Sequence, residues 1–229
     1  MILKLKILIK RLVKFLSNEV KSYSVENKII SKDQIDYFLS IQNIFAEIID
    51  IPGDIIELGV GRGRNSIIFG SLIKKNHLGK FKKYYGFDTF GQLPPRELEN
   101  SPKLKKLLSN EDSFDYISDL ILSNDLSDQV KLIRGDIVKN VEKIENNELE
   151  ILKKDNLYIS LMYIDCNHYI PSLAALKCFK NNFSKGALIV VDESKIGGEN
   201  KALKQFCNEN NLIMRTGRFG NHNSSYTKI

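Results

Sequence analysis

Residues 52–66, Pro-Gly-Asp-Ile-Ile-Glu-Leu-Gly-Val-Gly-Arg-Gly-Arg-Asn-Ser, constrain the fold more than any other stretch of this chain. A short apolar run carrying Glu57 leads into glycines at 59, 61 and 63, and polar residues then open a helix. That order predicts a strand, a tight turn and a helix N-terminus, the unit from which open α/β sheets build ligand cradles. Lacking a Cβ, glycine lets backbone N–H groups come close to a ligand. The spacing is G-x-G-x-G, not the G-x-G-x-x-G of dinucleotide sites. An acid before the turn suits a cationic or hydrogen-bond-donating ligand better than a diphosphate. S-adenosylmethionine, with its ammonium and sulfonium, meets that description.

The rest of the chain continues the alternation. Ser31 and Gln34 have capping-box form, and Tyr37, Phe38, Ile41, Ile44, Phe45, Ile48 and Ile49 follow at helical spacing. Pro52-Gly53 ends that helix. Further strands are expected at about 83–88, 130–134, 157–164, 187–191, 211–216 and 224–229, after a first at about 54–59. Helices are expected after the glycine turn, from Pro171, which suits a helix start, and at about 199–210. The polar stretch 91–129, with Pro94-Pro95, reads as a lid, and the charged stretch 140–156 shows no clear period and reads as surface. Strands alternating with helices predict a doubly wound α/β sheet. The expected organisation is an N-terminal helical extension over 1–50 followed by one domain over 51–229.

Composition narrows the function classes. With 42% hydrophobic and 27% charged residues in 229, this is an ordinary globular composition. The net charge of +6 comes from scattered lysines without an arginine and aromatic stripe, which argues against nucleic-acid binding. Cys166, Cys178 and Cys207 form no zinc set, and their sparse, odd count fits a reducing cytoplasm. The first residues, MILKLKILIKRLVKFL, have lysines breaking every apolar run, short of the ~20 apolar residues a spanning helix needs. On a helical wheel Lys4, Lys6, Lys10, Arg11 and Lys14 oppose Leu5, Leu8, Ile9, Leu12, Phe15 and Leu16. Such a helix suits docking on the domain or on a second subunit, with peripheral membrane contact as the competing reading.

Polar residues close strand after strand: Glu57, Asp88, Asp136, Asp165, then Asp192 with Glu193. In open parallel sheets this edge binds ligands, and five such endings in succession predict one shared site. Asp88 stands where an acid accepts hydrogen bonds from ribose hydroxyls, and Asp136 where an adenine amino group could be met. Asp165, Asp192 and Glu193 would repel one another without a cation between them. An oxygen-only set suits Mg²⁺, which lowers the pKa of a bound hydroxyl. His168, three residues after Asp165 and one turn on if the segment is helical, would then lie near the metal and is the candidate general base, with Lys195 in reserve.

These segments, together with Gly86-Phe-Asp-Thr-Phe-Gly-Gln-Leu-Pro94, Ile164-Asp-Cys-Asn-His-Tyr-Ile-Pro-Ser172 and Gly186-Ala-Leu-Ile-Val-Val-Asp-Glu193, resemble class I S-adenosylmethionine-dependent methyltransferases of the macrocin O-methyltransferase type. Gly198-Glu-Asn-Lys-Ala202 fits a variant branch. The resemblance, over about 50–229, implies a Rossmann-like, seven-stranded, mostly parallel sheet with helices on both faces and the last strand antiparallel. It implies Mg²⁺-assisted methyl transfer to a hydroxyl, typically of a sugar on a natural product. Donor binding would fall to Glu57, Gly59, Gly61, Gly63, Asn65, Ser66, Asp88, Thr89, Gly135 and Asp136. The metal would fall to Asp165, Asp192 and Glu193; Asp165 would be catalytic, and His168 is placed like the lysine base of the catechol-type O-methyltransferases. The chain departs from the family at Asn167, where an acid is usual, at His168, where leucine is usual, and at Glu193, where Asp is usual. A homo-oligomer is expected. A catechol or phenol acceptor, or a non-catalytic nucleoside-binding or membrane-surface module, are the rival readings.

Overall fold

The structure is a computed structural model that describes residues 31–91, 93–95, 112–192, 198–217 and 224–229. The basic N-terminal segment, Glu193 and Lys195 lie outside the described residues. Two compact units divide the chain, Met1–Tyr37 and Phe38–Ile229. In the first, the capping box forms in both directions. Gln34 N–H donates to Ser31 Oγ at 3.3 Å, and Ser31 N–H donates to Gln34 Oε1 at 3.0 Å. Helix α1 (Lys32–Ile48) starts there, and further along it Ile41, Ile44, Phe45 and Ile48 are buried at helical spacing.

The second unit is a seven-stranded sheet of order β3-β2-β1-β4-β5-β7-β6. In chain order its elements are β1 (Asp54–Leu58), α2 (Arg64–Lys75), β2 (Tyr84–Asp88), α3 (Phe114–Ser123), β3 (Val130–Arg134) and α4 (Ile137–Glu145). Then follow β4 (Ile159–Ile164), α5 (Tyr169–Cys178), β5 (Phe183–Val191), α6 (Glu199–Glu209), β6 (Arg215–Thr216) and β7 (Ser225–Lys228). The first five strands run parallel, and β7 runs antiparallel to both β5 and β6. Helices flank the sheet, as a Rossmann-like α/β fold requires.

Strand β4, Ile-Ser-Leu-Met-Tyr-Ile, is buried at every residue and shows no alternation, because both of its faces are covered. On one face Met162 and Ile164 share a core with Val141 and Ile144 of α4 and with Leu176 and Phe179. Each such side chain stabilises the fold by about 1.5–3 kcal/mol on burial.

One expectation is corrected. The stretch from 140 is not featureless surface as far as Glu145. It belongs to α4, which buries Ile137, Val141 and Ile144 on one stripe. The period is lost when reading starts at 140, since Ile137 and the helix cap Asp136 then fall outside the window. Of the stretch 91–129, residues 114–123 form α3, with Ile117 and Ile121 buried; residues 92 and 96–111 lie outside the described residues.

The lower, N-terminal edge of the sheet is held by a buried lysine. Lys82 is 3% exposed, and its Nζ donates to Ile51 O at 3.0 Å, Gly53 O at 2.6 Å and Ser160 Oγ at 2.6 Å. Burial pushes its pKa down to about 8, against the opposing pull of Asp54. These bonds tie the approaches to β1, β2 and β4 together. Lys82→Ala would remove the donor to Ile51 O and leave Gly53 O with Ser160 Oγ alone. It should lower unfolding free energy by about 2–4 kcal/mol, read from the urea midpoint at unchanged slope.

Candidate functional site

Strand order reverses between β1 and β4: the chain builds outward through β2 and β3 on one side and through β5 on the other. At such a switch point the carboxyl ends of the strands diverge and open a crevice. The glycine turn sits on it. Gly59 has φ +91°, and a Cβ there would lie 2.3 Å from Asp165 O, so the ends of β1 and β4 touch backbone to backbone. Gly61 has φ +57°, and a Cβ on it would meet nothing within 4 Å. One glycine is therefore needed for packing, whereas a side chain at the other would meet open space. Gly63 is the N-cap of α2 and lies against Ile117.

Beneath the turn is a buried polar network. Glu57 is 1% exposed and accepts from Asn65 Nδ2 at 2.6 Å and from the Tyr84 hydroxyl in a short hydrogen bond. Ser66 Oγ donates in turn to Tyr84 Oη at 3.0 Å. Strand β1, the first turn of α2 and the start of β2 are thus joined through one carboxyl group. Burial pushes the Glu57 pKa up to about 8; the bonds from Tyr84 and Asn65 oppose the rise, and the charges of Asp165 and Asp88 add to it. Asn65 and Ser66 are enclosed with Glu57.

Asp88, at the end of β2, binds the turn from the other side. Its Oδ2 accepts from Gly61 N–H at 2.8 Å, and its Oδ1 accepts from Phe90 N–H at 2.8 Å. Thr89 Oγ1 lies 3.4 Å from Oδ1. Gly135, with φ +128°, donates its N–H to Asp88 O at 2.9 Å. Asp136 caps α4, its Oδ1 accepting from Val138 N–H at 3.0 Å. Ser113, just ahead of α3, returns to the same place: its N–H donates to Phe90 O at 2.8 Å and its Oγ to Gly61 O at 3.3 Å. Asp112 pairs with Arg134, and the Arg134 guanidinium lies 5.4 Å from the centre of the Phe114 ring.

Asp165 and Asp192 stand at the ends of adjacent parallel strands, both partly exposed. The buried Tyr163 hydroxyl donates to Asp192 Oδ1 and orients that carboxylate. Glu193, the third expected ligand, lies outside the described residues. Among the described residues no three His, Cys, Asp or Glu side chains group as a metal site. His168 is not one helical turn beyond Asp165. Asn167 takes the left-handed conformation, φ +60°, and His168 is extended, 8% exposed, as the N-cap of α5. The reading that placed it by helical spacing is corrected accordingly. Its carbonyl accepts from Ser172 Oγ at 2.6 Å.

Several positions went unrecognised in the sequence. Tyr84 looked like an ordinary strand residue, Ser113 lay inside the presumed lid, and Glu199 was only part of a motif. Their partners are 27, 52 and 32 residues away, so no local pattern announces them.

The macrocin O-methyltransferase (TylF) family profile matches residues 28–220. No curated protein sequence matches the chain. Among solved structures, CalS11, a calicheamicin methyltransferase, aligns with TM-score 0.74 and 22% identity, covering 96% of this chain and 90% of its own. Another CalS11 structure, described as a TDP-rhamnose 3'-O-methyltransferase, aligns at 0.63 with 22% identity over 96% and 92% of the two chains. The O-methyltransferase NovP aligns at 0.66 with 14% identity over 88% and 82%. An O-methyltransferase from Bacillus cereus in complex with S-adenosylhomocysteine aligns at 0.52 with 12% identity over 93% and 90%. At such identities the likeness establishes the fold.

The buried carboxyl group gives a pH signature. With its pKa near 4.5 when unfolded and raised to about 8 when folded, Glu57 contributes stability that is full below about pH 4.5 and is lost as pH rises to about 8. Glu57→Gln keeps an acceptor for Asn65 and cannot ionise. The stability of the native chain relative to this variant should therefore fall with pH in that window, by up to about 1.4 kcal/mol per pH unit. Urea titrations of both proteins from pH 5 to 8 measure it, and parallel curves would refute it.

Proposed function

We propose, from the premise that the chain belongs to the macrocin O-methyltransferase family and is an S-adenosylmethionine-dependent O-methyltransferase, that it methylates a hydroxyl of a sugar or sugar-bearing small molecule. The observation that carries this reading is the glycine turn at the switch point. Gly61 presents backbone to open space there, and Asp88 anchors it beside the carboxyl groups of Glu57 and Asp165.

In this reading Gly59, Gly61, Gly63 and Asp88 receive the donor, with Thr89, Gly135 and Asp136 bordering its nucleoside. Glu57, Asn65 and Ser66 shape the turn from below. The donor supplies an electrophilic methyl carbon on its sulfonium; the acceptor oxygen bonds to that carbon as the carbon–sulfur bond breaks. What remains for the protein is alignment and removal of the hydroxyl proton. Asp165, at the mouth of the crevice and in backbone contact with the turn, is the carboxylate best situated to receive the acceptor hydroxyl. His168 follows in the same loop and is the group proposed to take the proton. Asp165 and Asp192, oxygen donors on adjacent strand ends, fit a hard divalent cation, with Glu193 as the third ligand. Bound there, Mg²⁺ would lower the pKa of the acceptor hydroxyl. Because CalS11 is described as acting on TDP-rhamnose, a nucleotide sugar is the first acceptor to try.

The test is calorimetry with S-adenosylhomocysteine, then incubation of S-adenosylmethionine with TDP-rhamnose, free sugars and catechol, with and without Mg²⁺. Methylation of a sugar and not of catechol is expected, and the reverse preference would overturn the sugar assignment. Gly61→Val places a branched side chain in the open space at a left-handed position, and should weaken S-adenosylhomocysteine binding by about tenfold or more. Asp165→Ala should abolish turnover while S-adenosylhomocysteine affinity stays within about threefold. Loss of donor binding in that variant would move Asp165 to the donor side.

A further inference from the structure

We infer that Glu199 is a positioning residue: the first turn of α6 grips the loop after β4 at both peptide groups of Asn167 and so fixes how Asp165 and His168 face the crevice. The inference rests on the proposed role of that loop in handling the acceptor.

Asn167 sits between those two residues and holds φ +60°. Asparagine tolerates that region better than most side chains, though at a cost that its surroundings must offset. The offset is visible on both sides. Asn167 N–H donates to Glu199 Oε2 at 2.6 Å, and Asn167 O accepts from Gly198 N–H at 3.2 Å. Glu199 is fully enclosed, so this contact is made away from water, where a hydrogen bond is stronger than in solvent. A glycine is required beside it: a Cβ on Gly198 would lie 2.4 Å from Tyr169 N. The grip continues along α6, where Lys201 Nζ lies 5.2 Å from the Tyr169 ring centre and Gln205 accepts from the Tyr169 hydroxyl. From the α5 side, Ser172 Oγ donates to His168 O, completing the fixation of the loop.

The pairing also gives a role to the Gly198-Glu199 pair that the sequence singled out: it is the device itself.

The experiment uses the full chain and three variants, with two readouts. Amide exchange at Asn167 is followed without any ligand, taking Met162 in β4 as the internal reference; turnover and S-adenosylhomocysteine affinity are measured with TDP-rhamnose as acceptor. Glu199→Gln keeps an acceptor and should preserve both protection and kcat within about threefold. Glu199→Asp, one methylene shorter, and Glu199→Ala should speed Asn167 exchange by about tenfold or more while Met162 is unchanged. In both, kcat should fall by about tenfold or more, with S-adenosylhomocysteine affinity within about threefold. If Glu199→Ala does not fold, Glu199→Asp decides. Native protection of Asn167 in Glu199→Asp overturns the inference, as does native kcat there or a loss of kcat in Glu199→Gln equal to that in Glu199→Asp. If the unaltered protein leaves TDP-rhamnose unmethylated, that acceptor assignment fails, while the exchange readout still decides whether Glu199 holds the loop.

Discussion

The crevice depends on one contact between backbones. Gly59 lets the end of β1 press against the Asp165–Cys166 segment at the end of β4, closer than any side chain would permit. Because these two strands flank the switch point, their approach sets the floor of the crevice. The segments above that floor are referenced to it: the turn through Gly61 and Asp88, the loop after β4 through Asp165 and Asn167.

The polar groups around this contact divide into two kinds. Glu57, Asn65, Ser66 and Tyr84 are enclosed and satisfy one another, so they act on the shape of the turn. Asp88, Asp165 and Asp192 are partly exposed at the strand ends. Burying a carboxyl group is costly unless it is hydrogen-bonded or protonated, and Glu57 shows both remedies: two donors and a pKa raised to about 8.

Much of this was legible in the residues. The parallel strands announced themselves as mostly apolar runs followed by acids, because a strand covered on both faces is largely apolar and runs out at a polar edge. The glycine turn was legible for the same reason of close approach. What could not be read was pairing across distance. Asp136 looked like a ligand group, yet in the fold one of its oxygens caps α4. His168 seemed one helical turn from Asp165, yet a left-handed Asn167 redirects the chain between them. Glu57 was readable as an acid before the turn, but its enclosure depends on Tyr84, a residue on another strand.

Lys82 gives the opposite edge of the sheet a different character. Its three bonds join the entries to β1, β2 and β4 at the end of the sheet remote from the crevice. Cohesion is thereby reinforced at the pole opposite the proposed site. In a lineage with this layout the upper loops can vary while the foundation stays intact, since the Lys82 bonds are made at the far end of the central strands.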